Sequence, residues 1–260
     1  MHHAQEVRFL SFDEIAIAYD NAINWESRLD REIPFIIKSL KDEEAAKILD
    51  IACGSGRHAI ELASRGAYVI AFDNSSSMIQ QAKNFADSAN SSPRFLILEM
   101  LEMEKEVSES FDLALCLGNS LALLNDWNEV EHVIRTVRNL LNQEGKFIFQ
   151  TLNFTEIIKN DFRLFPLKRG YTPSGKEIVF GRFFDHDTNS QQTHLIMSSF
   201  VKTGKEWTVT SSKQKILRIQ KENIEEILLR AGFNQVEFYS DYNKSSFVPT
   251  TSRSMIVRAQ

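Results

Sequence analysis

Apolar residues fall in two rhythms along this chain. Short, nearly continuous runs at 48–52, 68–72, 94–98, 112–117 and 146–151 have the length of buried strands. Between them lie stretches with helical spacing: Met78, Ala82, Phe85 and Ala89 within 75–89, and Val130, Val133, Ile134, Val137 and Leu141 within 127–142. Residues 11–41 carry the helical pattern twice, through Phe12, Ile15, Ala16 and Tyr19 and then Ile33, Ile36, Ile37 and Leu40, with Pro34 expected in the first turn of the second helix. The rhythm changes after residue 155. Alternating runs at 177–187, 193–202 and 206–217 are separated by the turn residues Asp187-Thr188-Asn189-Ser190 and Thr203-Gly204, which predicts a three-stranded antiparallel insertion. A helix at 221–231 then stops at Gly232. Strands at 234–240 and 252–257 close the chain, and about ten residues between them leave no room for a crossover helix, so they pair antiparallel. Strands alternating with helices predict an α/β fold, a doubly wound Rossmann-like sheet that is mostly parallel, with the β insertion after its fifth strand.

The richest local chemistry lies between Lys47 and Asp73. Strand, glycine turn, helix and second strand form a β-α-β nucleotide-binding unit. Gly54 and Gly56 permit a sharp turn and a close backbone approach. The helix from Arg57 aims its first N–H groups at the same place. Asp73, 17 residues after Gly56, is placed to accept hydrogen bonds from both hydroxyls of a ribose. Gly54-Ser55-Gly56-Arg57-His58-Ala59 also satisfies a dinucleotide fingerprint. Asp50, four positions before Gly54, separates the two ligand classes. An anion there repels a pyrophosphate by roughly 4 kcal/mol in a partly buried site, and favours a ligand carrying a sulfonium and an ammonium. The alternative for Asp50 is a cap on the N–H groups of the loop.

With Leu49-Asp50-Ile51-Ala52-Cys53-Gly54-Ser55-Gly56-Arg57-His58, Asp73-Asn74-Ser75, Met78 and Ala82-Lys83, the chain resembles the class I S-adenosylmethionine-dependent methyltransferases. Phe111-Asp112-Leu113-Ala114-Leu115-Cys116-Leu117-Gly118-Asn119-Ser120 is similar to the family's fourth strand and loop, and Gly145-Lys146-Phe147-Ile148-Phe149 to its fifth. The resemblance implies a seven-stranded sheet with the last strand reversed and S-adenosyl-L-methionine as cofactor. Its implied contacts are Tyr19, Asp50, Cys53, Gly54, Ser55, Gly56, Arg57, Asp73, Asn74, Met78, Glu99, Met100, Leu101, Leu117 and Asn119. Glu99 stands where family members often place Asp, so its reach differs. Arg57 is placed either at the methionine carboxylate or in solvent. Gly118-Asn119-Ser120, followed by the insertion, is most similar to the glycine/sarcosine N-methyltransferase-like branch. Family members often fold the amino-terminal segment over the cofactor. The resulting division is a helical cover at 1–45, the cofactor-binding domain at 46–154 and 218–260, and an insertion at 155–217 that roofs the acceptor.

Parity places Ile178, Phe180, Arg182, Phe184 and His186 on one strand face. An Arg between aromatic residues has the fork that grips a carboxylate, so Arg182 is expected to hold an acidic group of the acceptor; a snorkelling Arg paired to a surface acid is the alternative. His186 is a candidate base or an exposed strand His. Asn119 and Ser120 contact the acceptor or merely cap a turn. Tyr19 offers its ring to a sulfonium or completes a core stripe. The catalytic candidates are therefore Tyr19, Arg182 and His186, with the base itself unassigned.

Composition narrows the partners. The net charge of −5 and the lack of a Lys/Arg run argue against a nucleic-acid substrate. Two cysteines make no disulfide framework, and the six histidines form no metal-ligand spacing. No apolar run reaches the ~18 residues of a membrane span, and Met-His-His-Ala-Gln-Glu is not a signal peptide. The expectation is a cytoplasmic monomer or homodimer, without membrane contact, that methylates a small molecule, at nitrogen more than at oxygen. The alternatives are an NAD-dependent oxidoreductase, a tRNA or protein methyltransferase, and a non-catalytic cofactor-binding subunit.

Overall fold

The computed structural model describes residues 12–89, 91–172, 174–187 and 192–260, the side chains of 12–15 excepted. Phe12, Ile15, the turn at 188–190 and the amino-terminal hexapeptide thus fall wholly or in their side chains outside the described residues. Two helices open the described chain, α1 (Phe12–Asn21) and α2 (Trp25–Ile37). Helix α2 begins nine residues before Pro34 because the Asn24 side chain caps it, accepting the Ser27 N–H at 3.1 Å. Pro34 consequently lies inside the helix rather than in its first turn.

The doubly wound unit follows: β1 (Lys47–Ile51), α3 (Arg57–Ser64), β2 (Tyr68–Asp73), α4 (Ser76–Ala89), β3 (Arg94–Ile97), a short α5 (Met103–Glu106), β4 (Phe111–Cys116), α6 (Trp127–Leu140) and β5 (Leu141–Leu152). After the insertion come α8 (Lys221–Arg230), β10 (Val236–Tyr239) and β11 (Ser254–Ala259). The seven strands run in the order β10-β11-β5-β4-β1-β2-β3. Strand β11 is antiparallel to both β5 and β10, and the other pairings are parallel. The expected seven-stranded sheet with a reversed last strand is present.

Alternation along the strands builds two cores. Leu49, Ile51, Ile70, Phe72, Phe147 and Phe149 face α6 and α8. Ile48, Val69, Ala71, Leu113, Leu115 and Ile148 face α2, α3 and α4. Asp50 shares the parity of Ile48, so its carboxylate enters the second layer.

The insertion departs from expectation. A helix, α7 (Phe154–Lys159), precedes it, and the sheet has four strands, β6 (Lys168–Tyr171), β7 (Glu177–His186), β8 (Thr193–Thr203) and β9 (Glu206–Ile216), in sequential antiparallel order. Lys168-Arg169-Gly170-Tyr171 has no apolar alternation; it is held by pairing with β7 and by Gly170, where a Cβ would come within 3.1 Å of the Ala18 carbonyl. That close approach joins the insertion to α1. Among the described side chains of α1, Ala18 and Asp20 are buried, and Tyr19 is half-buried against Phe180 with ring centroids 5.3 Å apart.

Candidate active site

The order of strands reverses between β1 and β4, the place where an open α/β sheet binds ligands beyond its carboxyl edge. The loop after β1 is built on two left-handed glycines with different duties. At Gly56 (φ +72°) a Cβ would lie 2.7 Å from Phe95 and 2.8 Å from Ala82, so the glycine is required for packing. At Gly54 (φ +56°) nothing lies within 4 Å, which leaves its backbone open to a ligand. Asp73 ties the loop to β2: one oxygen accepts the Gly54 N–H at 2.9 Å and the other the Ser75 N–H at 3.0 Å. Each oxygen retains a lone pair. Asn74 donates to Glu99 at 3.3 Å across the ends of β2 and β3, and Met100 and Leu101 pack against the core beside them.

Asp50 is 2% exposed. The Ala59 N–H in the first turn of α3 favours its charged form, and Oδ2 is buried with no hydrogen-bond partner among the described residues. Burial is the main reason its carboxyl is raised to about 6; Asp73 adds to the rise, while His58, Arg28 and the Ala59 bond oppose it. An orphaned carboxylate oxygen beside an open glycine backbone and a free-edged Asp73 suits a cationic nucleoside such as S-adenosylmethionine. Burial first, and the Asp50 and Asp73 charges after it, push the Cys53 and Cys116 thiols up, which disfavours the thiolate.

Asp20, Arg28 and Glu32, not singled out from sequence, support this loop. Ser55 donates to Asp20 at 2.9 Å, and burial raises the Asp20 carboxyl despite that bond. His58 Nε2 meets Glu32 at 2.7 Å, and Glu32 also accepts Arg28 Nε at 2.9 Å. Burial acts to raise Glu32, yet the bonds and charges of His58 and Arg28 outweigh it and hold the carboxyl below its ordinary value. The i,i+4 spacing of Arg28 and Glu32 is visible in the sequence; their burial is not. Arg57 does not extend into solvent: its guanidinium stacks 3.5 Å from the Phe85 ring centroid, with Nε buried and unpartnered. Met78 is half-buried, and its backbone N–H donates to Ser75 Oγ at 3.3 Å.

A cleft of about 570 Å³ opens beyond β4 and β5, between the main sheet and the insertion. Gly118, Asn119, Gln150 and Leu152 form its floor; Phe165, Arg182 and Phe184 form its roof. The Arg182 guanidinium lies between the Phe165 and Tyr19 rings, 4.6 and 5.1 Å from their centroids, and has no ion-pair partner among the described residues. The Tyr19 ring also receives Lys168 at 5.0 Å. The surface-acid pairing considered for Arg182 is therefore absent. Asn119, left-handed at φ 72°, accepts the Leu152 N–H at 2.8 Å through its side chain, and Ser120 Oγ donates to the Leu117 carbonyl at 2.9 Å. Both side chains thus hold the loop that brings the backbone to the cleft. His186 is neither exposed nor in this cleft. It is buried, with its ring nitrogens bonded to Thr193 and to the Phe162 carbonyl, both at 2.9 Å. A smaller hollow of about 320 Å³, lined by Lys41, Asp112 and Lys146, lies at the opposite, amino ends of the strands.

Among the described residues no group of three or more potential ligands could hold a metal ion, and no helix is long and apolar enough to cross a membrane. Comparison with known proteins gives the same architecture a lineage. A glycine/sarcosine N-methyltransferase of Aphanothece halophytica is 30% identical over 145 residues, 56% of this chain and 55% of that protein. One of Halorhodospira halochloris is 28% identical over 144 residues, 55% of this chain and 54% of that protein. The chain spans about half the length of the curated relatives it matches. A solved S-adenosylmethionine-dependent methyltransferase of Clostridium acetobutylicum has the same fold, with a TM-score of 0.77 at 18% identity over 96% of this chain and 98% of that one. Residues 42–232 match the family described as a methyltransferase domain, and the chain belongs to that family, the class I S-adenosylmethionine-dependent methyltransferases.

Proposed function

We propose that this protein methylates the amine of a small acidic molecule, an amino acid of the glycine or sarcosine class. The observation that carries the reading is Arg182: an unpaired guanidinium held between two aromatic rings, facing a cleft at the carboxyl ends of β4 and β5. Its planar fork matches a carboxylate. The names of the aligned relatives support the same acceptor class.

When bound, S-adenosylmethionine supplies a methyl group already activated by its sulfonium. The chain's part is to bind and orient. In this reading Asp73 accepts the ribose hydroxyls, Glu99 and Asn74 meet the adenine end, and Asp50 adds negative charge beside Gly54. Arg182 anchors the acid group of the acceptor and so aims its amine. Phe165, Phe184, Leu195 and Leu152 give the cleft apolar walls that exclude water. Holding two reactants in line is worth roughly 7–11 kcal/mol, so no covalent nucleophile is needed. The 1–45 segment as cover, the insertion as roof, and a cytoplasmic monomer or homodimer belong to this reading.

The test is transfer of labelled methyl from S-adenosylmethionine to glycine, sarcosine, bulk tRNA or a protein extract. Label in sarcosine or dimethylglycine supports the proposal; label confined to tRNA or protein overturns it. S-adenosylhomocysteine at 100 times its Kd should stabilise by ~2.7 kcal/mol, roughly 5–10 °C in Tm, whereas NAD should not.

A further inference from the structure

Tyr242 lies in the connection between β10 and β11 and lines the acceptor cleft together with Arg28, Arg31, Glu32 and Asp241. Its hydroxyl is buried and has no hydrogen-bond partner among the described residues. Buried polar groups are nearly always paired, so an unpaired one in the wall of a cleft marks a place where a ligand completes the bonding.

The orientation of this side chain is fixed on two sides. Its ring stands edge-on to the buried Phe35 of α2, centroids 5.6 Å apart at 82°. The turn that carries it is set by Asp241, whose carboxylate accepts the N–H groups of Asn243 at 2.8 Å and Ser245 at 3.2 Å. The charges that bear on the hydroxyl are Glu32, Arg28 and Arg31. Glu32 is already engaged by Arg28 and His58, and both arginines are donors only. Asp241 is taken up by the N–H groups of its own turn, and Arg31, which donates to Ser27 Oγ at 2.7 Å, has no ion-pair partner among the described residues, so it is the charge left to meet an anion. Burial, with Glu32 next, pushes the Tyr242 phenol up, which keeps it a neutral donor.

We infer that Tyr242 is a specificity-determining residue of the acceptor cleft, whose hydroxyl donates a hydrogen bond to the acid group of the substrate. The inference rests on the small acidic acceptor proposed above and extends it from the roof of the cleft to its side wall. It also explains why an unsatisfied hydroxyl is kept where phenylalanine would pack equally well: the hydroxyl is a liability to the free protein and an asset to the complex.

The experiment uses the full chain saturated with S-adenosylhomocysteine, with sarcosine as the probe, measured by calorimetric titration alongside thermal melting. Tyr242→Phe is expected to bind S-adenosylhomocysteine as the wild type does, to melt no lower, and to bind sarcosine about tenfold more weakly. Tyr239→Phe, which removes a hydroxyl bonded to Glu237 at 2.8 Å, serves as the neighbouring control and should leave sarcosine affinity unchanged. Equal sarcosine affinity in Tyr242→Phe overturns the inference, as does a lower Tm accompanied by weaker S-adenosylhomocysteine binding, which would make the hydroxyl structural. Wild type that binds S-adenosylhomocysteine and not sarcosine overturns the acceptor class and the Tyr242 role together. Wild type that binds neither sinks the cofactor reading instead.

Discussion

Glu32 and His58 meet at 2.7 Å between α2 and α3, each almost wholly buried. Through this contact α2 is tied to the helix that begins at the glycine loop. Glu32→Ala leaves Arg28 and His58 without their acceptor. Breaking a buried pair of this kind costs about 3–5 kcal/mol, so Tm should fall by roughly 10 °C or more. The sign of the pH dependence follows from the depressed Glu32 carboxyl. Its contribution is in place above the ordinary value of 4.5 and is lost as pH falls through the lower folded value. The urea midpoints of wild type and Glu32→Ala should therefore converge in acid.

Asp50 behaves oppositely. Its carboxyl is raised to about 6 from 3.8, so its ionised form destabilises the free fold above about pH 6, and that penalty disappears as pH falls from there toward 4. Asp50→Asn should raise the Tm of the ligand-free protein at pH 7.5 while weakening S-adenosylmethionine binding at least tenfold. In the wild type, affinity for S-adenosylmethionine should decline below about pH 6, and titrations in buffers of different ionisation heat should detect proton release on binding. Flat affinity from pH 5 to 8 would refute the electrostatic role of Asp50.

The two glycines of the loop should separate packing from binding. Gly56→Ala places a Cβ 2.7 Å from Phe95 on a left-handed residue, and a loss of several kcal/mol is expected. Gly54→Ala has open space and pays only the left-handed backbone penalty, about 1–2 kcal/mol. It should nevertheless abolish the melting shift with S-adenosylhomocysteine. Retention of that shift would place the ligand elsewhere.

Arg182 and His186, four residues apart on one strand, should part in their phenotypes. Arg182→Ala should keep cofactor affinity and Tm within about 1 °C and lower kcat/KM for sarcosine about a hundredfold, with Arg182→Lys failing to restore it. His186→Ala removes one buried and one part-buried hydrogen bond and should destabilise by about 2–4 kcal/mol while the folded fraction keeps its kcat. A pH–rate profile altered in His186→Ala would return His186 to the catalytic group.

The legible parts of this molecule are those decided by neighbours in the chain. Short apolar runs placed the strands of the main sheet and period-3.6 patterns most helices, because a strand covered on both faces is apolar throughout while a helix buries one stripe. Asp50, Gly54, Gly56 and Asp73 were readable because a tight strand–turn–helix demands those residue types at that spacing. Parity correctly brought Ile178, Phe180, Arg182, Phe184 and His186 to one face. The short strand Lys168–Tyr171 was hidden because pairing and one close backbone contact define it, not side-chain alternation.

What the tertiary structure alone decided is where polar groups end. Whether Arg182 meets an acid, whether His186 is solvated, and whether the Tyr242 hydroxyl finds a partner depend on atoms carried by other elements of the fold. Sequence pattern specifies which residues face inward; it carries no information on which distant donor or acceptor arrives opposite them. For buried charges and hydroxyls that arrival sets the energy, since in a low-dielectric interior an unpaired group and a paired one differ by kilocalories.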